Sequence, residues 1–409
     1  MNARIVGTLA FALLAGCGGG GGGSGASPET PSRLLYATVL GGPNSFPTYV
    51  YGFAVSPAGA LSLVPELLTP TLDFPGGQIA ITRDSKLLYT TAFEALATFQ
   101  INPDGSLTGA GSLSLFDTPV GLVAHPTADF LYASSASALS NSGVFSSYVL
   151  SVFAINSETG ALNRTSSVSL GSNNVPIGNP VITPDGRYLY QNHLNGQSPA
   201  LLQFAGFSID SATGALSAVP GSPVSPMTTA TSYVSTGQMA VHPTGKFFYA
   251  SYQSGVNVGE DGGVVAFSID ASSGALTAVP GSPFSVDGIP NSIAIDASGK
   301  FLIVSTSPLP GGAAGNCLAV LSIDPGTGAL ASVPGSPFGP LQSCGAVAAD
   351  PSAAFVYAGT ASDGIGPGAA PAAIFVLSLD QTTGALTSIG QGGPENPSLF
   401  SISSIALTN

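Results

Sequence analysis

The chain has 409 residues, of which 44% are apolar and only 7% are charged, with 54 Gly and 33 Pro. This composition is typical of one large all-β domain with an extensive core. The formal net charge of −13, without a basic run or a basic patch interleaved with aromatic residues, argues against nucleic-acid binding.

The N-terminal segment predicts export. A short start that contains Arg4 is followed by the uncharged residues 5–15, a stretch too short to span a bilayer. Residues 14–17 read Leu-Ala-Gly-Cys, which resembles a bacterial lipobox, in which the Cys is acylated and becomes the mature N-terminus. We expect a signal peptide over residues 1–16 and a lipid anchor at Cys17. The alternative is an ordinary signal peptide in which the Cys stands by chance.

Residues 17–32 comprise the acylated Cys and a Gly-rich stretch with few side chains that could pack, so they predict a flexible tether. Gly18 follows the Cys at the position where inner-membrane lipoproteins of Gram-negative bacteria usually have Asp. The resemblance therefore favours the outer membrane of the cell envelope, with the membrane as a partner through the lipid. The folded domain is expected over residues 33–409.

Export places the remaining cysteines, Cys317 and Cys344, in an oxidising compartment. A disulfide between them would close a loop of about 28 residues and stabilise the fold by about 3 kcal/mol. The alternative is two separate buried thiols.

A Gly-Ala-Leu tripeptide, or a close variant, recurs seven times along the chain. The copies begin at Gly59, Gly105, Gly160, Gly214, Gly274, Gly328 and Gly384. Their spacing of 46 to 60 residues suits the four-stranded blade of a β-propeller with variable loops. Seven copies therefore predict a seven-bladed β-propeller.

Each repeat contains the same alternation of apolar and polar residues between Gly-bearing turns, which indicates β-strands. In one stretch the predicted strands C, D, A and B are residues 264–270, 275–279, 291–296 and 301–304. The domain begins with a B strand at residues 33–38 and ends with an A strand at residues 402–407. One blade should therefore be shared between the two chain ends, which closes the ring and removes an open sheet edge.

The repeat residues resemble those of the lactonase-type seven-bladed propellers, which include propeller-type 6-phosphogluconolactonases and fungal muconate lactonising enzymes. The resemblance covers residues 33–409. It rests on segments such as Pro-Thr-Gly-Lys-Phe-Phe-Tyr at 243–249, Asp-Pro-Gly-Thr-Gly-Ala-Leu at 324–330 and Val-Pro-Gly-Ser-Pro-Phe at 333–338. The resemblance implies a propeller fold and lactone hydrolysis, although these segments are scaffold residues.

Charged residues are expected to be divided between the two faces of the propeller. The A–B and C–D turns lie on one face, and the D–A and B–C loops lie on the other, the loop face, where the family is expected to bind ligands. The basic residues of the mature chain lie in or beside A–B and C–D turns: Arg33, Arg83, Lys86, Arg164, Arg187, Lys246 and Lys300. A phosphate group needs such cations or a helix N-terminus, so a phosphorylated substrate is not expected on the loop face.

His193 and Glu94 are the candidate catalytic residues. His193 is predicted to open a B–C loop, where it could act as a base or a ligand; the alternative is a solvated loop histidine. Glu94 follows strand B in the shortest B–C connection, close to the predicted central channel. His125 and His242 precede prolines in A–B turns and are interpreted as turn residues.

Glu260 and Asp261 lie between glycines and are predicted to form a flexible loop. This loop could ligate Ca²⁺ if Asp287 or Asp363 converged on it. The alternative is that these carboxylates only keep a charge-poor protein soluble. No other cofactor is expected.

The leading functional hypothesis from the sequence is a non-catalytic propeller of the cell envelope. Its loop face would bind a neutral or cationic small ligand, a glycan or another envelope protein, because the basic residues are kept away from that face. The first alternative is a lactonase that hydrolyses a sugar lactone or another lactone, as the resemblance implies. The second is a Ca²⁺-dependent binding module around Glu260 and Asp261.

Overall fold

The structure is a computed structural model that describes most of the chain from residue 33 onward. The described residues are 33–41, 48–64, 69–71, 77–115, 117–137, 148–171, 175–176, 178–195, 201–226, 233–234, 238–254, 260–308, 316–339, 344–360, 372–393 and 399–408. The predicted signal peptide, the lipid anchor at Cys17, the tether and Asp363 lie outside these residues. Within them, no helix is long and apolar enough to cross a membrane.

The described strands form seven antiparallel sheets, one for each repeat, which confirms the seven-bladed β-propeller. The strands of blades 1 to 3 are β1 (Arg33–Gly41), β2 (Thr48–Val55), β3 (Leu61–Leu63) and β4 (Thr69–Thr71); β5 (Ile79–Ile81), β6 (Leu87–Ala92), β7 (Ala95–Ile101) and β8 (Leu107–Ser114); and β9 (Asp117–Ala124), β10 (Phe130–Ser137), β11 (Tyr148–Ile155) and β12 (Leu162–Gly171).

The strands of blades 4 and 5 are β13 (Val175–Pro176), β14 (Val181–Ile182), β15 (Tyr188–Leu194), β16 (Leu202–Ile209) and β17 (Leu216–Ala218); and β18 (Tyr233–Val234), β19 (Met239–Val241), β20 (Phe247–Ser254), β21 (Glu260–Ile269), β22 (Leu276–Ala278) and β23 (Phe284–Ser285). Both β13 and β14 pair with β15, so they form one interrupted A strand. Gly178, with φ of 83°, and Pro180 lie at the interruption.

The strands of blades 6 and 7 are β24 (Ile289–Ile295), β25 (Phe301–Ser307), β26 (Leu318–Ile323) and β27 (Leu330–Ser332); and β28 (Cys344–Ala349), β29 (Phe355–Thr360), β30 (Ile374–Leu379) and β31 (Leu386–Gly392). The last strand, β32 (Leu399–Leu407), pairs with β1 and supplies the A strand of blade 1. The shared blade predicted from the two chain ends is confirmed.

Hydrogen bonds and an ion pair reinforce this ring closure. The N–H of Leu34 donates to the Thr408 hydroxyl at 2.8 Å, and the N–H of Thr408 donates to the Leu34 carbonyl at 2.9 Å. Arg33, at the start of β1, forms an ion pair with the fully buried Asp350 of blade 7. The first strand of the chain, β1, is therefore held in blade 1 both by pairing with the last strand, β32, and by an ion pair with blade 7.

The hydrophobic core is divided among the junctions between blades. Each of its seven clusters joins apolar side chains of two neighbouring blades, and one of them joins blade 7 to blade 1 through Tyr357 and Phe53. A twisted four-stranded sheet has two apolar faces to bury, and in the ring each face is covered by the next sheet.

A tyrosine in strand B links the blades through the repeated Gly-Ala-Leu turn. Its hydroxyl donates to the carbonyl oxygen of the turn glycine in the next blade, at 2.8 to 3.5 Å. The pairs are Tyr36–Gly105, Tyr89–Gly160, Tyr132–Gly214, Tyr190–Gly274, Tyr249–Gly328 and Tyr357–Gly59. Blade 6 has Ile303 at this position.

The turn position itself requires glycine. Gly274 has a φ of 72°, and a Cβ built there would lie 2.3 Å from the Tyr188 ring. The tripeptide that revealed the repeat thus marks the contact between neighbouring blades. Burial raises the pKa of Tyr249 and its equivalents well above the ordinary value, so the hydroxyl stays protonated and remains a donor.

His125 and His242 lie in A–B turns, as the sequence predicts. The Nδ1 of His125 accepts the N–H of Ala128 at 2.9 Å, so its Nε2 carries the proton and donates to the Gly186 carbonyl of the next blade at 2.9 Å. The Nε2 of His242 makes the equivalent contact with the Gly299 carbonyl at 2.8 Å. Both imidazoles are used in holding blades together.

The predicted disulfide between Cys317 and Cys344 is confirmed, with the two Cα atoms 5.7 Å apart. Cys317 precedes β26 of blade 6, and Cys344 begins β28 of blade 7. The bond therefore links two neighbouring blades on the loop face.

Replacing Tyr249 with Phe should leave the buried Gly328 carbonyl without its partner. We expect the free energy of unfolding to fall by about 1–3 kcal/mol, the cost of an unpaired buried polar group, as measured by chemical denaturation. Tyr49→Phe is the control, because the half-buried Tyr49 hydroxyl makes no hydrogen bond to a described residue. Equal losses in the two variants would show that the hydrogen bond to Gly328 has no special role.

Reducing the disulfide should destabilise the fold by about 3 kcal/mol, because the unfolded chain regains the entropy of an open loop. We expect dithiothreitol to lower the thermal unfolding midpoint of the wild-type protein. The double variant Cys317→Ser, Cys344→Ser should already unfold at the lower temperature and should not respond to reductant. A double variant as stable as the oxidised protein would contradict this expectation.

Candidate functional site

A cleft of about 260 Å³ lies where blades 5, 6, 7 and 1 meet on the loop face. Its lining residues come from strand A or its entrance and from the end of strand B: Gln238, Asn291, Ser292, Ser307, Cys344, Gly345, Ala346, Ser401, Ile402 and Ser403. Because strand A is the innermost strand of each blade, the cleft lies at the mouth of the central channel. None of these ten side chains carries a charge.

Asn291 is held in a defined orientation at the cleft. Its Nδ2 donates to the Ser307 hydroxyl and to the Cys344 carbonyl, both at 2.8 Å. The two donors of this amide are thus used within the protein, and Oδ1 retains its capacity to accept a hydrogen bond. Because Cys344 also forms the disulfide, the carbonyl that accepts this hydrogen bond from Asn291 belongs to a residue that is covalently linked to blade 6.

Gln238 is the other amide of the cleft. Its side chain is half-buried, and it makes no hydrogen bond with any residue that the structure describes. It therefore presents both donors and an acceptor to a ligand in the cleft.

Uncharged polar groups continue around the channel in blades 1 to 4. Nδ2 of Asn179 donates to Oε1 of Gln78 at 2.6 Å, and Oδ1 of Asn179 accepts the N–H of Leu122 at 2.9 Å. The hydroxyl of Thr38 donates to the Gly77 carbonyl at 2.7 Å. These amides and hydroxyls link one blade to another at the entrance of the channel, and the bond between Asn179 and Gln78 joins blade 4 to blade 2.

Blade 4 departs from the repeat at the end of strand B. Two residues after the repeated Tyr or Ile303, the other blades have a hydroxyl residue or glycine: Thr38, Thr91, Ser134, Ser251, Ser305 and Gly359. Blade 4 has Asn192 there, between Gln191 and His193, and all three side chains are buried, at 0%, 0% and 2% exposure. Three consecutive buried polar residues in one strand are unusual in a repeat whose other copies bury small side chains.

Several polar atoms of this group have no hydrogen-bond partner among the described residues. They are Oε1 of Gln191, Nδ2 of Asn192 and both ring nitrogens of His193. Gln191 does donate from Nε2, to the Asn192 carbonyl at 2.9 Å and to the Gly178 carbonyl at 3.3 Å. Unpaired buried polar groups cost free energy, so blade 4 retains these groups at a cost to stability.

The two faces of β15 point to different neighbours. Tyr190 packs against blade 5, and Leu189 packs against blade 3. Because side chains alternate along a strand, Asn192 faces blade 5, which contributes Gln238 to the cleft, whereas His193 faces blade 3.

The prediction that His193 opens a B–C loop was wrong, and so was the alternative of a solvated histidine. His193 lies within β15, paired with Pro176 of β13 and Gln203 of β16. The strand extends as far as His193 because β13 pairs with the end of β15. The interruption between β13 and β14 made this pairing difficult to recognise in the sequence. Burial lowers the pKa of His193 more than the nearby Gln203 side chain raises it, so the imidazole is neutral at pH 7.

Glu94 lies in the two-residue turn between β6 and β7, where Ala92 pairs with Ala95. Its φ of 51° is in the left-handed region, its side chain is exposed, and its carbonyl accepts the N–H of Leu115 at 2.6 Å. The connection is as short as predicted, and a catalytic role for Glu94 stays a prediction.

The flexible loop predicted around Glu260 and Asp261 was also wrong. Both residues begin β21, and Glu260 pairs with Ser254 across a β-bulge. Asp287 is exposed in the connection between β23 and β24, and Asp363 lies outside the described residues. Within the part of the chain that the structure describes, no group of three or more His, Cys, Asp or Glu side chains could hold a metal ion. A Ca²⁺ site stays a prediction.

The basic residues lie at the turn face or beside it, as predicted. Arg83 pairs with Asp129 at 3.2 Å, Lys86 pairs with Asp84 at 3.7 Å, and Arg187 donates to the Ala271 carbonyl at 2.8 Å. Among the described residues, the lining of the cleft at the channel mouth carries no charge. Sequence reasoning missed Gln191, Asn192, Gln238 and Asn291, although the departure of blade 4 from the repeat could have revealed the first two.

Comparison with known families supports the resemblance seen in the repeats. Residues 181–344, less than half of the chain, match the family described as "Lactonase, 7-bladed beta-propeller". This segment includes His193 and the whole of blade 5. No curated protein matches the sequence significantly.

Several solved structures share the fold. A putative 6-phosphogluconolactonase from Bacteroides fragilis has a TM-score of 0.63 and 17% identity, with 94% of this chain and 100% of that chain covered. A periplasmic gluconolactonase from Pseudomonas aeruginosa has a TM-score of 0.64 and 18% identity, with 92% and 99% covered. A putative 6-phosphogluconolactonase from Bacteroides uniformis has a TM-score of 0.63 and 16% identity, with 92% and 99% covered.

These findings correct the leading functional hypothesis from the sequence. The match to a lactonase family contradicts the non-catalytic envelope scaffold and favours the alternative, lactone hydrolysis. The hypothesis was wrong because it took the absence of basic residues from the loop face as evidence against catalysis. The protein is similar to the lactonase-type seven-bladed β-propellers, as its repeats predicted.

Proposed function

We propose that the protein hydrolyses a lactone on the loop face of the propeller. The observation that carries this proposal is His193, a buried imidazole whose ring nitrogens make no hydrogen bond of normal geometry to a described residue, although Gln203 lies nearby. It lies within the segment that matches the lactonase family and in blade 4, whose strand B carries Asn192 where the other blades have a hydroxyl residue or glycine. A buried unpartnered histidine is costly to keep unless it acts on something.

The chemistry needs one base. The neutral imidazole of His193 takes a proton from water, and the water oxygen attacks the carbonyl carbon of the lactone. The bond between that carbon and the ring oxygen then breaks. The imidazolium returns the proton to the ring oxygen, which leaves a hydroxy acid and the original neutral histidine.

The lowered pKa of His193 suits this role. A general base must be unprotonated when it acts, and burial disfavours the imidazolium form. The imidazole is therefore neutral at pH values where an ordinary histidine is partly charged.

Replacing His193 with Gln should abolish most of the activity of the purified protein. We expect turnover of at least one member of a panel that contains glucono-δ-lactone, 6-phosphoglucono-δ-lactone and γ-butyrolactone. The variant should lower kcat/KM by at least about 100-fold, the usual contribution of a general base. Glu94→Gln is the matched control, because it removes the other candidate catalytic group from an exposed turn.

The pH profile distinguishes a base from a structural residue. Because burial lowers the pKa of His193 from its ordinary value of about 6.5, kcat/KM should fall as the pH is lowered, with a midpoint below that of an ordinary histidine. Loss of activity in Glu94→Gln with full activity in His193→Gln would move the base to Glu94. No turnover above the spontaneous rate with any lactone would overturn the proposal.

We also propose that the protein is lipid-anchored in the bacterial cell envelope, in the outer membrane. The lipobox-like residues 14–17 support this, and a disulfide suits an oxidising compartment.

Cys17→Ser should abolish the anchor, because the hydroxyl cannot replace the thiol as the site of acylation. Wild-type protein made by a Gram-negative host that is fed radioactive palmitate should be labelled and should sediment with membranes. The Cys17→Ser protein should be neither labelled nor membrane-bound. Wild-type protein that carries no label would contradict the lipid anchor.

A further inference from the structure

We infer that Gln203 is a positioning residue for His193: its side-chain amide oxygen accepts the N–H of the imidazole and holds the ring in one tautomer, with the other nitrogen left to take a proton. The inference rests on the proposed function for the reaction that this second nitrogen performs. The effect of Gln203 on the imidazole itself can be measured without any hydrolysis.

His193 and Gln203 lie directly opposite each other on the paired strands β15 and β16. Residues in this relation project from the same face of a sheet, with Cβ atoms about 4.5–5.5 Å apart. Gln203 therefore faces blade 3, as His193 does. The neighbouring residues of β16 agree with this orientation, since Ala205 packs against blade 3, whereas Leu202 packs against blade 5.

Both members of this pair depart from the repeat. His193 lies three residues after the strand B tyrosine, and Gln203 lies opposite it on strand C. The pairs at these two positions in the other blades are Val39–Tyr49, Ala92–Ala95, Ser135–Val149, Tyr252–Gly263, Thr306–Cys317 and Thr360–Ala373. None of these pairs places an amide opposite an imidazole. Two departures that face each other in one blade indicate that the two side chains act together.

A second contact holds the amide of Gln203. Its Nε2 donates to the Ser225 hydroxyl at 3.2 Å. Ser225 follows Val224, which exchanges two main-chain hydrogen bonds with Phe204 of β16, both at 2.9 Å. The nitrogen of the amide is thus tied to a segment that is itself bonded to β16. The amide oxygen retains its capacity to accept a hydrogen bond.

The described strands around His193 offer no charged residue that could take the place of Gln203. These strands are β13 and β16, which pair with β15, and β10 of blade 3, which contacts β13. None of the three contains a charged residue. The titratable side chains of blade 3 in this junction are Tyr132 and Tyr148. Burial raises the pKa of both, so they are uncharged at pH 7.

An uncharged acceptor orients the imidazole without adding a charge to a buried site. A neutral imidazole has one N–H and one nitrogen lone pair, and an acceptor beside the ring selects the nitrogen that holds the proton. Burial lowers the pKa of His193, whereas the Gln203 side chain and the main chain of Gln191 oppose this effect. The ring nitrogens make no hydrogen bond of normal geometry here. Catalytic hydrogen bonds are often poorly aligned before substrate binds.

The test is NMR spectroscopy of the imidazole nitrogens in purified protein that contains nitrogen-15-labelled histidine. The chain has only three histidines, so the signals can be assigned by substitution. Wild-type His193 should show one neutral tautomer. Gln203→Leu should give a mixture of the two tautomers, because the acceptor is lost. Gln203→Glu should keep one tautomer and raise the pKa of His193 by at least about one unit, because a carboxylate stabilises the imidazolium.

His125 and His242 serve as internal references, since both make contacts at other blade junctions and should be unchanged in every variant. The matched control is Gln100→Leu, the same substitution at an exposed position of strand C in blade 2. It should leave His193 unaltered. The inference is overturned if wild-type His193 is already a mixture of tautomers, if Gln203→Leu does not change the tautomer, or if Gln203→Glu does not raise the pKa.

Kinetic measurements show whether the reaction uses this orientation. Gln203→Leu should lower kcat at least about tenfold and leave KM within about threefold, because a misplaced base slows the chemical step more than it weakens binding. In Gln203→Glu the midpoint of the pH profile of kcat/KM should rise with the pKa of His193 measured by NMR. A loss of stability alone would not move that midpoint.

The outcomes separate this inference from the proposed function. If the tautomer and the pKa of His193 depend on Gln203 but no lactone is hydrolysed, the positioning role is supported and the lactonase is overturned. If hydrolysis depends on His193 but Gln203→Leu changes neither the tautomer nor kcat, the lactonase is supported and the inference is overturned.

Discussion

The structure depends on the burial of each blade against its neighbours. One four-stranded sheet cannot cover its two apolar faces alone, and the seven core clusters all lie between blades. Apolar contacts alone do not fix how one blade is placed on the next. The hydrogen bond from the strand B tyrosine to the turn glycine is directional, and it therefore fixes the position of each blade relative to its neighbour. Where Ile303 replaces the tyrosine, the disulfide joins the same two blades, 6 and 7.

The candidate site is a consequence of this repetition. Seven A strands begin around one axis, so residues that are more than 100 positions apart in the chain become neighbours, as Asn179 and Gln78 do. The amides and hydroxyls at these entrances bond from blade to blade and line the channel mouth. The disulfide and Asn291 stiffen the part of this ring that borders the cleft.

Function in a repeat protein is best sought where one copy differs from the others. Strand B of blade 4 buries Gln191, Asn192 and His193 where the other blades bury small or apolar residues, and several of the polar atoms are unpaired. The position of the basic residues, in contrast, is not special to one blade. Most blades have them at the turn face, because they belong to the repeated A–B and C–D turns. The described residues that line the cleft at the channel mouth carry no charge.

The sequence by itself determined the blade count, the order of the strands, the closure of the ring and the disulfide. These features follow from local signals, namely the turn glycine, the period of two in each strand and the pairing of the only two cysteines after Cys17. Tertiary structure decided that His193 is buried in a strand, that Glu260 begins one, and that Gln238 and Asn291 line a cleft. Those facts depend on which strand pairs with which and on how seven blades meet around an axis, and such long-range packing leaves no mark in a local pattern.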